Sequence, residues 1–344
     1  MDAQNFLSLK GSMMLDKRDE YLKQIVKSAA STGTDSEDEY AVATYARCHG
    51  HPLAYICIFS SNYVSVVDLI QGRRLFDITV GLSPLGIDIS RKNSRAYVTN
   101  FSANSVSVID LIANAVSDTV IVGTLPAGIK VSPDGRYLYV VHYGEPNVYV
   151  LDAYTLQKVV EIPLPSPGFQ IDITKDGAFA YVTLRSAGQV AVIDLHVNLV
   201  VKIISTDAGA ECVVFDQTNR LAYVSNEDAN TVTPINVQLA QAAFPNIPTS
   251  PGPVGMVLTH YGQTLYIANR LAQTVSVFDV FSRTEQLTIN VGDGPYGLAI
   301  TTNEQIIAVT NTFEDTVSLI NARENRVYAT VTVGYAPAFL SILS

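Results

Sequence analysis

Three residues of this 344-residue chain, His142, Arg185 and Glu211, have side chains that could carry out chemistry at one site. A guanidinium can polarise a carbonyl oxygen, and an imidazole or a carboxyl group can transfer a proton to or from a reacting atom. Alternatively, the three residues are scattered around the rim of a pocket that binds without chemistry. We favour this alternative, because only the spacing along the chain suggests that they converge.

Other residues near these positions could bind a ligand. At equivalent places in a repeated pattern the chain has Gly86, Gly128, Gly255 and Gly297, and residues that replace these glycines or their small neighbours should project side chains into a pocket. The predicted ligand-binding residues are Tyr143, Phe169, Gln170, Cys212, Tyr296 and Phe339.

A third set of residues is charged and lies two positions after the glycine positions. Asp88, Lys130 and Asp172 should face a central channel by the alternation of side chains along a strand. Lys130 is expected to pair with Asp88 or Asp172. Solvated ion pairs of this kind stabilise a structure more often than they mark a functional site.

The sequence contains little that would bind a metal or a nucleotide. The run Cys48-His49-Gly50-His51 has no second cluster at zinc-binding spacing, and the glycine-rich run 292–297 leads into a strand rather than a helix. The acidic pairs Glu227-Asp228 and Glu314-Asp315 could hold Ca²⁺ if they converge, but exposed turns often carry such residues. We therefore predict no metal and no cofactor.

A repeat of 42 residues must position all of these side chains. Each copy contains four short segments rich in β-branched and aromatic residues, bounded by Gly, Pro, Asn and Ser. Four short strands per copy predict the blade of a propeller, and seven stacked blades close a ring. One column of the repeat is Tyr55, Tyr97, Tyr139, Tyr181, Tyr223, Tyr266 and Ala308, in which a single step is 43 residues.

One copy of the repeat resembles a known family. The segment AYVTNFSANSVSVIDL from Ala96 to Leu111 is similar to the consensus of YVTN-repeat β-propellers, as are AYVTL from Ala180 and AYVSN from Ala222. The resemblance covers residues 53–344 and implies an all-β, seven-bladed β-propeller of four-stranded antiparallel blades. Related proteins include surface-layer repeats, ligand and DNA binders, lactonase-like hydrolases, lyases and cyclases, so the fold leaves the function open.

The ends of the chain suggest how the ring closes. Residues 339–342 keep both apolar positions of an innermost strand, whereas Thr44–Arg47 would put Arg47 on one of them. We therefore predict that the C-terminal strand completes the first blade, within a propeller of residues 41–344. Residues 1–40 are predicted to form a short helix, over about 16–30, and an acidic linker.

Composition limits the partners. The chain has 22 Lys and Arg against 32 Asp and Glu, a formal charge of −10, which disfavours binding to nucleic acid. It has neither an uninterrupted apolar run of about 18 residues nor a signal-peptide pattern, so we expect a cytoplasmic, soluble monomer without a membrane partner.

The sequence thus predicts a non-catalytic propeller that binds a small molecule or a protein partner at a central pocket on one face. The alternative is a metal-independent enzyme, a lactonase-like hydrolase, lyase or cyclase, which uses His142, Arg185 and Glu211 in the same pocket. Convergence of these three side chains to within about 8–10 Å would favour the enzyme.

Overall fold

Residues 50–344 are the part of the chain that the computed structural model describes. Leu53–Ser344 form one compact unit. The helix and linker predicted within residues 1–40, the segment Thr44–Arg47, and Cys48 and His49 lie outside the described residues. Within residues 50–344, no helix is long and apolar enough to cross a membrane.

Seven antiparallel sheets follow one another, which confirms the predicted seven-bladed propeller. From the axis outwards, blade one contains β29 (Pro337–Leu343), β1 (Leu53–Ile58), β2 (Tyr63–Asp68) and β3 (Arg73–Thr79). Blade two contains β4 (Pro84–Ser90), β5 (Arg95–Asn100), β6 (Ser105–Asp110) and β7 (Ala115–Ile121). Blade three contains β8 (Pro126–Val131), β9 (Tyr137–His142), β10 (Asn147–Asp152) and β11 (Lys158–Pro163).

The remaining four blades complete the ring, and blade five departs from the pattern because its outer strand is split into two short pieces. Blade four contains β12 (Ile171–Ile173), β13 (Phe179–Leu184), β14 (Gln189–Asp194) and β15 (Leu199–Ser205). Blade five contains β16 (Ala210–Phe215), β17 (Leu221–Asn226), β18 (Thr231–Asn236), β19 (Gln241–Ala242) and β20 (Ile247–Pro248). Blade six contains β21 (Pro253–Leu258), β22 (Thr264–Asn269), β23 (Thr274–Asp279) and β24 (Thr284–Asn290). Blade seven contains β25 (Pro295–Ile300), β26 (Ile306–Asn311), β27 (Thr316–Asn321) and β28 (Arg326–Thr332). Residues Phe101–Ala103 and Arg185–Ala187 form single 3₁₀ turns.

The second strand of each blade is almost completely buried, because neighbouring blades cover both of its faces. In β5, every residue after Arg95 is buried, whereas the outer strand β7 has no buried residue. The apolar clusters accordingly extend across two blades, as where Val141 and Val150 of blade three pack with Val182 and Ile193 of blade four. The tyrosine of the repeat can link adjacent blades by a hydrogen bond. The Tyr97 hydroxyl of blade two donates to the Ala153 carbonyl of blade three at 2.9 Å.

Around the axis, the innermost strands approach each other closely. A Cβ atom on Gly86 would lie 2.3 Å from the Ala127 carbonyl oxygen of the next blade, which only glycine avoids. The Thr99 hydroxyl donates to that same carbonyl at 2.7 Å, and Thr310 donates to the Ala338 carbonyl at 2.8 Å. The second strand of one blade therefore holds the innermost strand of the next.

The ring closes through β29, the strand that the sequence analysis assigns to this place. It pairs antiparallel with β1, in a register that places Leu343 opposite Leu53 and Leu340 opposite Ile56. Leu340 also packs in the cluster that joins blades one and seven. This pairing removes the exposed edge that β1 would otherwise present.

Deleting residues 336–344 should therefore lower the midpoint of thermal unfolding by about 10 °C or more, because β1 loses its partner and the ring loses its closure. Circular dichroism during heating measures this. Deleting Ser344 alone, which follows the strand, is the control and should change the midpoint little. A 336–344 deletion that melts like the full chain would contradict the closure.

Candidate functional site

One face of the ring, here called the upper face, carries the loops that enter the innermost strands and those that join the second and third strands. A cavity of about 240 Å³ opens there beside the axis. We call it the aromatic cavity. It is lined by Phe59, Leu85, Phe101, Tyr143, Phe169, Arg270, Tyr296, Thr312, Ala336 and Ala338.

Six aromatic rings form a continuous arc along this cavity and the channel mouth beside it. Phe101 lies between Phe59 and Tyr143, with ring centroids 5.9 and 6.2 Å apart. Tyr143 then contacts Phe169 at 5.9 Å with the rings nearly perpendicular. Phe339 completes the arc, at 6.3 Å from Phe169 and 5.0 Å from Tyr296. These separations are those of favourable aromatic pairs.

One column of the repeat divides the upper face into an aromatic part and a charged part. The residue directly after each second strand is aromatic in blades one to three and charged in blades four to six. Each of these residues begins the loop between the second and third strands, so all seven face the rim of the channel. The column is Phe59, Phe101, Tyr143, Arg185, Glu227, Arg270 and Thr312.

In the charged part, Arg185 binds three carboxylates. Its guanidinium lies 2.5 Å from Glu211, 2.8 Å from Glu227 and 3.2 Å from Asp228. Glu227 continues the network to Arg270 at 3.1 Å. The Arg270 guanidinium in turn stacks at 5.4 Å over the Tyr296 ring, which joins the charged part to the aromatic arc.

Glu211 is the buried member of this network. Burial raises the pKa of its carboxyl to about 7, against the lowering effects of Arg185 and of a hydrogen bond from Tyr296. That bond is donated by the Tyr296 hydroxyl at 2.7 Å. Tyr296 also lines the aromatic cavity, so Glu211 is hydrogen-bonded to a residue of that cavity. Glu211 can therefore exchange a proton near neutral pH.

Below the aromatic cavity, a polar channel cavity of about 280 Å³ follows the axis. Gln170, Cys212 and Phe339 line it at the places where other blades have glycine. Burial raises the pKa of the Cys212 thiol to about 12, so the thiol stays protonated at neutral pH. Lys130 of blade three pairs with Asp172 of blade four at 3.2 Å and with Asp88 of blade two at 3.7 Å.

His142 is separated from the other two residues predicted to be catalytic. Its side chain is completely buried, and its Nε2 accepts a hydrogen bond from the Gly123 backbone at 3.1 Å. In blade two, Asn100 makes the equivalent bond to the Gly81 backbone. His142 lines neither the aromatic cavity nor the channel cavity. The structure thus brings Arg185 and Glu211 together but places His142 as a structural acceptor.

Of the residues predicted to bind a ligand, Tyr143, Phe169 and Tyr296 line the aromatic cavity, and Gln170, Cys212 and Phe339 line the channel cavity. Phe59, Phe101 and Arg270 belong to the site but were not predicted, and Glu227 was considered only as a Ca²⁺ ligand. The repeat contained the signal, since all four occupy the column that follows the second strand. Within residues 50–344, no three His, Cys, Asp or Glu residues are grouped to hold a metal ion.

Two family models match parts of the chain. The Cytochrome D1 heme domain matches residues 58–172, and the Lactonase, 7-bladed beta-propeller family matches residues 204–329. A search of curated proteins finds no match.

Solved structures share the fold at low identity. Hydrazine synthase of Kuenenia stuttgartiensis superposes with a TM-score of 0.70 at 21% identity, over 76% of this chain and 89% of that one. A functionally unknown protein from Desulfotomaculum acetoxidans gives 0.75 at 16% identity, over 84% and 98%. A protein from Lactobacillus plantarum gives 0.71 at 18% identity, over 86% and 99%.

The match to a heme domain raises the question of whether this channel could hold heme. Heme iron is bound by His, Cys thiolate, Met or Tyr. Among the described residues, no His or Met lines the channel cavity or the aromatic cavity, and the Cys212 thiol is protonated. The Tyr296 hydroxyl is already bonded to Glu211. Tyr143 is then the one remaining residue of a ligand type among the described lining residues, and no His, Met or thiolate accompanies it, so this lining fits a heme poorly.

The seven sheets, the closure by β29 and the match to the lactonase model agree on the fold. The chain is a seven-bladed β-propeller, and parts of it are similar to the lactonase and cytochrome D1 families.

Proposed function

We propose that this propeller binds a small molecule, without chemistry, in the aromatic cavity of its upper face. The arc of rings around that cavity is the observation that carries the proposal. An apolar concave site with a few polar groups is the usual form of a small-molecule site. The polar groups here are the Arg270 guanidinium and the Thr312 hydroxyl, at the edge of the cavity.

The charge of the upper face indicates which ligands suit the cavity. Among the described upper-face loop residues, Arg185 and Arg270 are the basic ones, and seven are acidic. Such a face repels anions and attracts cations, and aromatic ring faces also attract cations. The ligand is therefore an uncharged or cationic molecule with an apolar ring. The acidic residues are Glu145, Asp207, Glu227, Asp228, Asp293, Glu314 and Asp315.

Replacing Tyr143 with Ala should weaken ligand binding by about tenfold or more, because a buried aromatic contact contributes about 1.5–3 kcal/mol. Native mass spectrometry of the protein purified from cells detects and identifies the ligand, and calorimetry with that ligand measures the affinity.

The matched control is Tyr335→Ala, which removes a highly exposed tyrosine of the same face that does not line the cavity. Its affinity should equal that of the wild type. Equal affinities in both variants, or a protein that carries no ligand and binds none from a small-molecule library, would count against the proposal.

A catalytic function is the second candidate, and the pKa of Glu211 is the observation that favours it. In a lactonase-like hydrolysis, water adds to the lactone carbonyl, the ring C–O bond breaks, and the proton from water passes to the ring oxygen. Glu211 is suited to accept that proton through the Tyr296 hydroxyl, with Arg185 holding the carboxylate. His142 takes no part in this arrangement.

If this candidate is correct, hydrolysis of δ-valerolactone should increase with pH around a midpoint near 7, because the Glu211 carboxylate is the base. Glu211→Gln should remove most of the activity and the pH dependence. A wild-type rate equal to the uncatalysed rate, for this lactone and larger ones, excludes the lactonase.

Glu211 also makes a prediction about stability that does not depend on activity. Its pKa in the folded protein, about 7, is above its usual value of 4.5, so the folded state holds the proton more tightly than the unfolded chain. This stabilisation is complete below pH 4.5 and is lost as the pH rises through 7. Between pH 5 and pH 8, the free energy of unfolding of the wild type should fall by a few kcal/mol relative to that of Glu211→Gln, as measured by urea unfolding. Equal changes in the two proteins would show that the pKa of the Glu211 carboxyl is not raised.

A further inference from the structure

A separate cavity of about 470 Å³ opens on the lower face, opposite the aromatic cavity, at the junction of blades five and six. We call it the interblade cavity. It is bounded by the turns between the first and second strands of both blades, residues 216–221 and 260–262, and by Val280 and Phe281 of blade six. The side chain of Tyr223 closes its inner end.

Tyr223 differs from its equivalents in blades two, four and six. The hydroxyls of Tyr97, Tyr181 and Tyr266 each donate to a carbonyl of the following blade, in the turn after its third strand. By its position in the repeat, the Val280 carbonyl is the expected acceptor for the Tyr223 hydroxyl. Instead, the Tyr223 side chain is 1% exposed and its hydroxyl has no partner among the described residues. A buried donor without an acceptor is unfavourable unless a bound molecule supplies one.

The repeat is interrupted at the same place. The step from Tyr223 to Tyr266 is the one of 43 residues, and the outer strand of blade five is broken between β19 and β20. Phe244, in this break, packs against the cluster that contains Tyr223 and Val280. The Arg283 guanidinium of the blade-six turn stacks 3.9 Å over the Phe244 ring. The break thus gives the blade-six turn a contact that other blades lack.

The lining of the interblade cavity combines exposed aromatic rings with hydrogen-bond donors. Tyr261 and Phe281 are 79% and 73% exposed at its rim. Arg220 and His260 form no ion pair within residues 50–344, whereas Asp216 already accepts bonds from the backbones of Thr218 and Arg220. Burial raises the pKa of Tyr223 to about 12, so its hydroxyl remains a donor at neutral pH.

We propose that the interblade cavity binds a small planar molecule that carries an anionic group. The ring of the ligand stacks on Tyr261 and Phe281, and its anionic oxygens accept hydrogen bonds from Tyr223 and Arg220. This ligand class differs from that of the aromatic cavity, whose acidic surroundings repel anions. The two sites are on opposite faces and are tested separately.

Calorimetric titration with 1-naphthoate and with AMP tests the proposal, and 1-naphthylmethanol and adenosine are the uncharged counterparts. At least one anion should bind, and its uncharged counterpart should bind at least about tenfold more weakly. Arg220→Gln should weaken anion binding about tenfold, and Tyr223→Phe should weaken it several-fold.

Tyr181→Phe is the matched control, because it removes the same hydroxyl in blade four, where that hydroxyl has a carbonyl partner. It should lower the melting temperature and leave anion binding unchanged. Tyr223→Phe should leave the melting temperature of the ligand-free protein unchanged or higher. Tyr143→Ala should not affect anion binding, which separates this site from the aromatic cavity.

The proposal is overturned if neither anion binds with a Kd below about 10 mM. It is also overturned if Arg220→Gln and Tyr223→Phe both bind the anion as tightly as the wild type does.

Discussion

The close approach of seven innermost strands around one axis is the constraint on which the rest of the structure depends. In four blades the strand meets its neighbour at a glycine, and Gly255 would place a Cβ atom 2.2 Å from the Tyr296 carbonyl oxygen. The hydroxyl groups of the second strands then hold these strands in place across the blade boundaries. Three blades have Gln170, Cys212 and Phe339 instead of glycine, and the side chains at those places line the channel. The close packing of the innermost strands around the axis therefore determines where a cavity can form.

The distribution of charge separates the two faces chemically. On the upper face, the carboxylates around Arg185 outnumber the guanidinium groups, and the aromatic arc lies directly beside them. On the lower face, Arg220 borders a cavity whose one carboxylate is already bonded to backbone. In the channel between the two faces, Lys130 pairs with Asp88 and Asp172 of the blades on either side of it. The net charge of the chain therefore describes neither face, and the ligands proposed for the two cavities differ because the local charge differs.

The repeat predicted the blades, because the buried columns recur with each copy and need no knowledge of distant contacts. It also placed Arg185 and Glu211 on adjacent blades, where they meet at 2.5 Å. The repeat could not assign a role to His142. Four other blades have Asn at this position, and a residue that replaces Asn looks functional whether it reacts or only accepts a hydrogen bond from Gly123. Four rings of the aromatic arc were among the predicted ligand-binding residues, but Phe59 and Phe101 were not. A search for single departures from a column does not detect a column in which several neighbouring residues are aromatic. The unpaired hydroxyl of Tyr223 depends on how two blades dock. The 43-residue step marks the place where the repeat changes, but it does not specify which hydrogen bond is lost.

The pairing of β29 with β1 has a consequence for how the protein is made. The two partners are separated by every other strand of the fold, so β1 must wait for its inner neighbour until the rest of the ring has left the ribosome. During that time its backbone groups form an open edge that another nascent chain could pair with. A contact of such long sequence separation is also slow to form, because the whole intervening chain must be ordered first. The pairing with β29 removes the edge of β1 from the finished ring. Until that pairing forms, however, the chain is at the stage most exposed to misassembly.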